Sequence, residues 1–226
     1  MNIPPLQKHF HLFSESSSVL NRKANSYLPR FNYAACELWL CTELCHIINF
    51  EGLNLHTDSN GEVFIYNEDC KRDLTLYSDG HSSPPQKLLH IEAKVIYPTS
   101  GCKNDIQNLC NKLNKSRNSA YMQEGWVYLV WTENHNIRPD RFFNDRIDKL
   151  KQTIESNKAT LEDGNNLTSV CSDVHEICDG NICWRGSKKR IIVKAIAFSF
   201  ESNVTACAEK VIYEDESALG TLATVE

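Results

Sequence analysis

The segment 88–97, LLHIEAKVIY, constrains the fold of this chain most strongly, because it is apolar at most positions yet carries Glu92 and Lys94 near its middle. Its β-branched and aromatic residues are typical of a β-strand. Residues two apart on a strand project from the same face, so the side chains of Glu92 and Lys94 should lie side by side. Charged groups are costly to bury in such apolar surroundings without a partner or a metal ion. The segment therefore predicts a buried strand that carries a charged site.

Composition and periodicity predict the elements that precede this strand. Segment 33–50 is apolar on nearly every helical face, which indicates a buried helix. Segments 62–67 and 73–77 are rich in β-branched and aromatic residues and predict two strands, joined by a polar turn as a hairpin. Residues 1–31 contain two prolines and a run of serines, and we expect an irregular arm there, with or without a short helix.

The elements that follow the strand alternate between helix and strand. Segment 103–118 predicts an amphipathic helix with Lys112, Lys115 and Arg117 exposed, and segment 126–132 predicts a strand. A second helix begins at Pro139 and runs to about residue 158. The polar, glycine-containing segment 162–187 predicts a long loop or an insertion, and 190–199 predicts a last strand. Together the pattern predicts an α/β fold with a central mixed β-sheet flanked by helices.

Composition indicates the cellular location of the chain, the state of its cysteines and the charge of its surface. No apolar run approaches the roughly 18 residues that a membrane helix needs, so we expect a cytoplasmic protein with no membrane partner. In that reducing compartment most of the ten cysteines should be free thiols, and we expect no disulfide framework. The formal net charge of −5 argues weakly against nucleic acid, but segment 184–199 carries five basic residues and no acidic one. A local basic surface is therefore expected.

Asp73 at the start of the second strand, with Glu92 and Lys94 in the third, is the arrangement that points to chemistry. If neighbouring strands bring Asp73 alongside, two carboxylates and one ammonium group converge. Mg²⁺ prefers carboxylate oxygens and keeps several waters, which leaves room for a phosphate group. A nearby lysine can orient an attacking water and stabilise the charge that develops on phosphorus. These residue types therefore favour phosphodiester hydrolysis.

This pattern resembles the signature of the PD-(D/E)XK nuclease superfamily, in which a helix, three strands, a helix and a fourth strand form the core. The matching order runs from about residue 33 to residue 132, and one departure is that Arg72, not proline, precedes Asp73. The resemblance implies a restriction-endonuclease-like fold with Asp73, Glu92 and Lys94 as catalytic residues and Mg²⁺ as cofactor. It also implies a type II restriction endonuclease that cuts double-stranded DNA as a homodimer.

The resemblance suggests two further site residues. In several branches of the superfamily a glutamate of the first helix completes the metal site, and Glu37 is the candidate, with Glu43 as its competitor. The metal ligands would then be Asp73, Glu92 and Glu37. Gln107, on the helix after the third strand, could face the site or the DNA backbone.

At 226 residues the chain has the length of one sizeable domain. We expect a single nuclease domain over 1–226, divided into an N-terminal arm (1–31), a catalytic core (32–158), an insertion or loop (162–190), and a C-terminal strand and tail (190–226).

Other interpretations of these motifs remain open. A Glu-x-Lys triplet on a strand is often only an exposed ion pair. The same residues would serve a toxin or anti-phage effector nuclease, and a non-catalytic nucleic-acid-binding module could keep the same fold. The triplet 90–92 also matches the H-x-E of zinc deaminases, but no P-C-x-x-C follows, so we reject that interpretation. A cluster of potential zinc ligands could equally be scattered thiols and an unrelated imidazole: Cys171, His175, Cys178 and Cys183.

Overall fold

A computed structural model of the chain describes residues 10–32, 36–51, 55–57, 63–67, 73–78, 85–98, 102–115, 122–134, 136–159, 168–201 and 211–213. The described helices are α1 (His11–Arg22), α2 (Ala24–Tyr27), a 3₁₀ turn (Arg30–Asn32), α3 (Cys36–Phe50), α4 (Cys102–Lys115) and α5 (Pro139–Ala159). The strands are β1 (Leu55–Thr57), β2 (Val63–Asn67), β3 (Leu74–Ser78), β4 (Gln86–Ile96), β5 (Met122–Thr132), β6 (Thr168–Cys171), β7 (His175–Trp184), β8 (Ser187–Glu201) and β9 (Val211–Tyr213).

Seven strands form one open, mixed sheet in the order β2-β3-β4-β5-β8-β6, and β7 also pairs with β8. Strands β4 and β5 are parallel, because α4 carries the chain back across the sheet between them, and the other pairs are antiparallel. The short strands β1 and β9 form a separate two-stranded sheet.

Alternation along the central strands gives the sheet two apolar faces. In β5, Trp126 and Tyr128 join the core cluster that includes α1 and α3, whereas Val127 and Leu129 join the cluster that includes α4 and α5. Burial on both faces explains why β4, β5 and β8 are apolar in nearly continuous runs. The predicted α/β class, with a mixed sheet flanked by helices, is confirmed.

The predicted order of elements is confirmed from β2 to α5, with ends that differ by a few residues, and the structure adds β1, β6 and β7 to the predicted strands. The predicted hairpin is the antiparallel pair β2–β3, in which Val63 pairs with Ser78. The buried helix predicted over 33–50 is α3, and its inner face carries Cys36, Leu40 and Leu44.

Two predictions about irregular segments were wrong where the structure describes them. The loop predicted over 162–190 contains β6, β7 and the start of β8. The polar residues of this segment lie on the exposed side of β7, while Ile177 and Ile182 are buried. The prediction of a loop was wrong because it took the polar residues of one face as evidence against a strand. The N-terminal arm forms α1, and the aromatic ring of Phe13 is fully buried against Trp126. Residues 1–9 and 161–167 lie outside the described part.

Unequal lengths of β3 and β4 create the feature that positions the candidate site. The β3–β4 ladder ends where Leu74 pairs with Ile91, but β4 continues to Ile96. The backbone N–H groups of Ala93 and Val95 point toward the side that β3 no longer covers. The backbone groups along this open edge of β4 must form hydrogen bonds with other parts of the protein.

None of the helices in the described residues is both long and apolar enough to cross a bilayer.

Candidate functional site

Two carboxylates satisfy the open edge of β4. Asp73 directly precedes β3, and its Oδ2 accepts a hydrogen bond of 2.8 Å from the N–H of Ala93. Glu37, in the first turn of α3, accepts a hydrogen bond of 3.0 Å at Oε2 from the N–H of Val95. Beyond the end of the β3–β4 ladder, two carboxylates thus accept the hydrogen bonds that a paired strand would accept, at neighbouring positions along the edge of β4. The sheet geometry fixes where both carboxylates sit.

Glu92 is the deeply buried member of the site. Its side chain is 3% exposed, and its Oε1 lies 2.8 Å from Nε2 of His90, two residues earlier on the same face of β4. An ionised carboxylate can only accept, so the ring donates from Nε2. His90 thereby fixes the orientation of Glu92.

Lys112, on α4, joins Glu92 to Asp73. Its Nζ lies 2.5 Å from Oε2 of Glu92 and 4.0 Å from Oδ1 of Asp73. In each carboxylate, one oxygen is held by a hydrogen bond within the protein: from the Ala93 N–H for Asp73 and from His90 for Glu92. The other oxygen of each carboxylate faces the ammonium group of Lys112. The structure brings Asp73 and Glu92 together around one cation.

The ammonium group of Lys94 pairs with Glu37 and not with the two central carboxylates. Its Nζ lies 3.0 Å from Oε2 of Glu37, while the ammonium position that faces Asp73 and Glu92 is taken by Lys112. Lys94 and Glu92 occupy the same face of β4 by alternation, but the Lys94 ammonium reaches Glu37 at the uncovered edge. The predicted convergence on a single point is thus divided between two adjacent ion pairs.

Burial and charge shift the pKa values of the site in opposite directions. Burial raises the pKa of Asp73, and the charge of Glu92 raises it further. Burial also favours the neutral form of Glu92, but hydrogen bonds from His90 and Lys112 outweigh it and lower the pKa of Glu92. The pKa of Lys112 is raised because its hydrogen bond with Glu92 and the nearby carboxylate charges outweigh its own burial. At neutral pH Glu92 and Lys112 are both charged, and Asp73 is the acid that a further cation would stabilise most.

The two central carboxylates fit a hard divalent cation such as Mg²⁺. The observation that carries the fit is the paired orientation of Asp73 Oδ1 and Glu92 Oε2 toward one cationic group. Mg²⁺ is commonly held by one or two carboxylates and completes its shell with water and phosphate oxygens. Within the described ranges, no three His, Cys, Asp or Glu side chains are grouped closely enough to hold a metal ion together. The predicted third ligand, Glu37, is engaged by Lys94.

The remaining candidates from the sequence lie elsewhere or have other partners. Glu43 accepts a hydrogen bond from the hydroxyl of Tyr27, so Glu37 and not Glu43 is the α3 glutamate beside β4. Gln107 donates to Asn111 Oδ1 at 3.2 Å on α4. The four possible zinc ligands are not gathered into a metal site in the described part of the chain, since Cys178 is buried in the core and Cys183 is exposed.

The contacts of His90 and Lys112 with Glu92 were not predicted from the sequence. His90 could have been found from its spacing, because it lies two residues before Glu92 and so shares its face. Lys112 is half exposed, as predicted, with its side chain 53% accessible. Its contact depends on how α4 packs on the sheet, and helix periodicity alone does not reveal that. The Lys115 side chain and Arg117 lie outside the described residues.

Comparison with models of known protein families gave no match, and no curated protein matches the chain at a significant level.

Proposed function

We propose that this chain is a Mg²⁺-dependent endonuclease that hydrolyses phosphodiester bonds in double-stranded DNA. The observation that carries the proposal is the convergence of Asp73 and Glu92, from adjacent antiparallel strands, on one cation position beside Lys94 and Glu37. Such an arrangement of acids and amines suits the transfer of a charged phosphoryl group.

The fold supports the same family of enzymes. From α3 to β5 the chain forms a helix, an antiparallel hairpin, a third strand that carries Glu92, a helix, and a fourth strand parallel to the third. This order resembles the core of the PD-(D/E)XK nucleases. We therefore propose the restriction-endonuclease-like fold for this domain.

The roles of the chain's own groups follow from their positions. Asp73 and Glu92 would hold the metal, because each turns an oxygen to the same point while Ala93 and His90 fix the other oxygen. A bound Mg²⁺ would polarise the phosphate and acidify a water molecule. Lys94, whose ammonium is held by Glu37, would orient the attacking water.

A basic ribbon is the proposed contact with DNA. The β7–β8 pair continues past the last β5–β8 partners, Thr132 and Ile191, to the turn between Trp184 and Ser187. We define the basic ribbon as residues 181–190. Arg185 and Lys188 are exposed on it, and a two-stranded ribbon has the width to enter the major groove. Arg190 is bound to Asp179 by two hydrogen bonds, of 2.8 and 2.6 Å, so it stiffens the ribbon.

The ribbon and the candidate site lie at compatible positions on the sheet. Lys94 is level with Val127 of β5, which is level with Ile196 of β8. The ribbon turn is at Ser187, the first residue of β8 and nine residues before Ile196. Nine strand residues span roughly 30 Å, which is the distance along β8 between Ile196 and the turn. One protein could therefore hold a scissile phosphate at the site and contact bases about one helical turn away.

The proposed biological form is a cytoplasmic type II restriction endonuclease that acts as a homodimer, because two-fold symmetric proteins suit two-fold symmetric DNA sites. An effector nuclease would use the same residues. A non-catalytic DNA-binding module is the rival from another class, and the ion pairs of Lys112 with both acids favour it.

Incubation of the protein with supercoiled plasmid and Mg²⁺ tests the proposal. The parent protein should convert the plasmid to nicked and linear forms, and chelation of the metal should stop the reaction. Asp73→Asn should be inactive, whereas Glu43→Gln, which keeps the contact with Tyr27, should cut at the parental rate. Discrete fragments indicate a restriction enzyme and a smear indicates an effector. No metal-dependent nicking would leave the binding module as the answer.

A further inference from the structure

Lys112 occupies the place where a metal ion would have to bind. Its Nζ faces Oε2 of Glu92 at 2.5 Å and Oδ1 of Asp73 at 4.0 Å. These are the two oxygens that the protein leaves for a cation, since Ala93 and His90 hold the others. The ammonium group and a divalent ion therefore share one pair of ligands.

Two cations in this space would repel each other. Like charges a few ångströms apart repel each other strongly at the effective dielectric constant of a protein surface, and a divalent ion doubles the charge on one side. The ammonium must consequently leave before the metal can use both carboxylates. The path outward exists, because the Lys112 side chain is 53% exposed while Glu92 is 3% exposed.

The position of Lys112 is built into the fold. Its neighbours on α4, Leu109 and Leu113, are buried in the core cluster on that face of the sheet, so the helix cannot rotate away. Without an ammonium group nearby, Glu92 would be a buried carboxylate that keeps, among the described residues, its hydrogen bond with His90. Burial of such a charge is expensive unless it is paired.

We propose that Lys112 is an internal counter-cation, which stabilises Asp73 and Glu92 in the metal-free protein and competes with the divalent metal for them. This inference rests on the metal site of the proposed function and adds a residue that sets its affinity. The apparent affinity for metal is the intrinsic affinity multiplied by the fraction of molecules in which the ammonium has left, so it is low while Lys112 occupies the site. Lys112 is a positioning residue for the site and not a ligand of the metal.

The thermal unfolding midpoint, measured against Mn²⁺ concentration, tests the proposal. Lys112→Met should reach a given rise above its own metal-free midpoint at a Mn²⁺ concentration about tenfold or more below the concentration that the parent protein needs, because the competitor is gone. Lys112→Arg keeps the charge and should resemble the parent. Lys103→Met, at an exposed position in the first turn of the same helix, should also resemble the parent.

Further variants separate competition from a general change in stability. Without metal, Lys112→Met should unfold at a lower temperature than the parent, and Mn²⁺ should close that gap. Lys112→Gln, which keeps a hydrogen-bond donor to Glu92, serves if the methionine variant does not fold. In an Asp73→Asn background the gain in Mn²⁺ sensitivity should disappear.

The outcomes distinguish this inference from the proposed function. An equal or higher Mn²⁺ requirement in Lys112→Met and Lys112→Gln, with a normal response in the parent, overturns the competition and leaves the metal site in place. A lack of Mn²⁺ response in the parent and in every variant overturns both. A lower requirement that depends on Asp73 establishes Lys112 as the competitor.

Discussion

Asp73 and Glu92 carry the same charge in different surroundings, and the difference decides what each contributes to stability. The pKa of Asp73 is raised by burial and by Glu92. Its contribution to the free energy of unfolding is therefore complete below the pKa that it has in the unfolded chain, and it is lost as pH rises through the pKa in the folded protein. The pKa of Glu92 is lowered despite burial, because of His90 and Lys112. Its contribution is therefore present above the unfolded value and is lost as pH falls through the folded value.

This contrast predicts opposite effects of two substitutions in metal-free protein at pH 7. Glu92→Ala leaves the buried His90 donor without its acceptor and should lower the free energy of unfolding by about 1–3 kcal/mol. Asp73→Asn removes an unfavourable charge and should leave the free energy of unfolding unchanged or slightly higher. Denaturant unfolding monitored by fluorescence checks both. An equal loss in the two variants would contradict this description of the site.

A second residue-scale prediction concerns Glu124, which lies outside the site. It is fully buried on β5, its Oε2 accepts a 2.7 Å hydrogen bond from the indole of Trp126, and burial raises its pKa to about 8. The acid is therefore neutral in the folded protein at pH 7, and its contribution is lost as pH rises from about 4.5 to about 8.

Over that range Glu124 should reduce the free energy of unfolding by about 1.4 kcal/mol per pH unit. Glu124→Gln keeps the acceptor for Trp126 and removes the titration. The difference in unfolding free energy between parent and variant should therefore change with pH between 5 and 8 and stay level above it. A difference that does not change with pH would show that Glu124 is ionised in the fold.

The sequence predicted Asp73, Glu92 and Lys94 because charged residues in or beside apolar strands stand out, and it predicted Glu37 from the resemblance to the nuclease superfamily. It did not identify Lys112, since a lysine on the flank of an amphipathic helix is common and its contact depends on tertiary packing. At the residue scale, local pattern reveals which groups are unusual, and the packing of α4 decides which of them meet.

At the scale of elements, β4 and β5 were predicted well because both are long, apolar and rich in β-branched residues. Strand β7 was missed because Gly180 and Asn181 lie inside it and its exposed side is polar. Pairing with β8 overrides these weak local preferences, with His175 opposite Ala195 and Trp184 opposite Ser187. The unequal ends of β3 and β4, which create the site, also depend on pairing.

Close contact between β5 and β8 predicts a strong effect of a small substitution at Gly125. This residue pairs with Glu92 on one side and with Phe198 on the other. An added Cβ would lie 2.4 Å from Cε1 of Phe198, which is fully buried. Gly125→Ala should therefore lower the free energy of unfolding by about 1–3 kcal/mol. Phe198→Leu in the same chain should recover part of the loss, and additive losses would contradict the contact.

The basic ribbon carries the second element-scale prediction. If Arg185 and Lys188 contact phosphates, the double alanine variant should bind DNA more weakly, and the slope of log affinity against log salt should fall by about 2. Arg141→Ala, at an exposed site on α5, is the matched control and should keep the parental slope. Fluorescence anisotropy with a Ca²⁺-containing buffer measures binding. An unchanged slope in the double variant would remove the ribbon from the interface.

For the whole molecule, sequence predicted the α/β class and the order of elements, but not the arrangement of the sheet. The position of β8 between β5 and β6, and the return of β7 along its edge, are long-range pairings. The amino-acid composition of a segment does not determine which other strands it pairs with. The fold nevertheless brings residues 37, 73, 92, 94 and 112 together from α3, the start of β3, β4 and α4, which are separated in sequence.

The central claim is that Asp73 and Glu92 share one divalent cation, and calorimetric titration of Mn²⁺ into the purified protein tests it most directly. The parent protein should release or absorb heat on binding, Asp73→Asn should lose that signal, and Asp105→Asn, with its side chain in the first turn of α4, should retain it. Binding of equal affinity in the parent and in Asp73→Asn would contradict the claim.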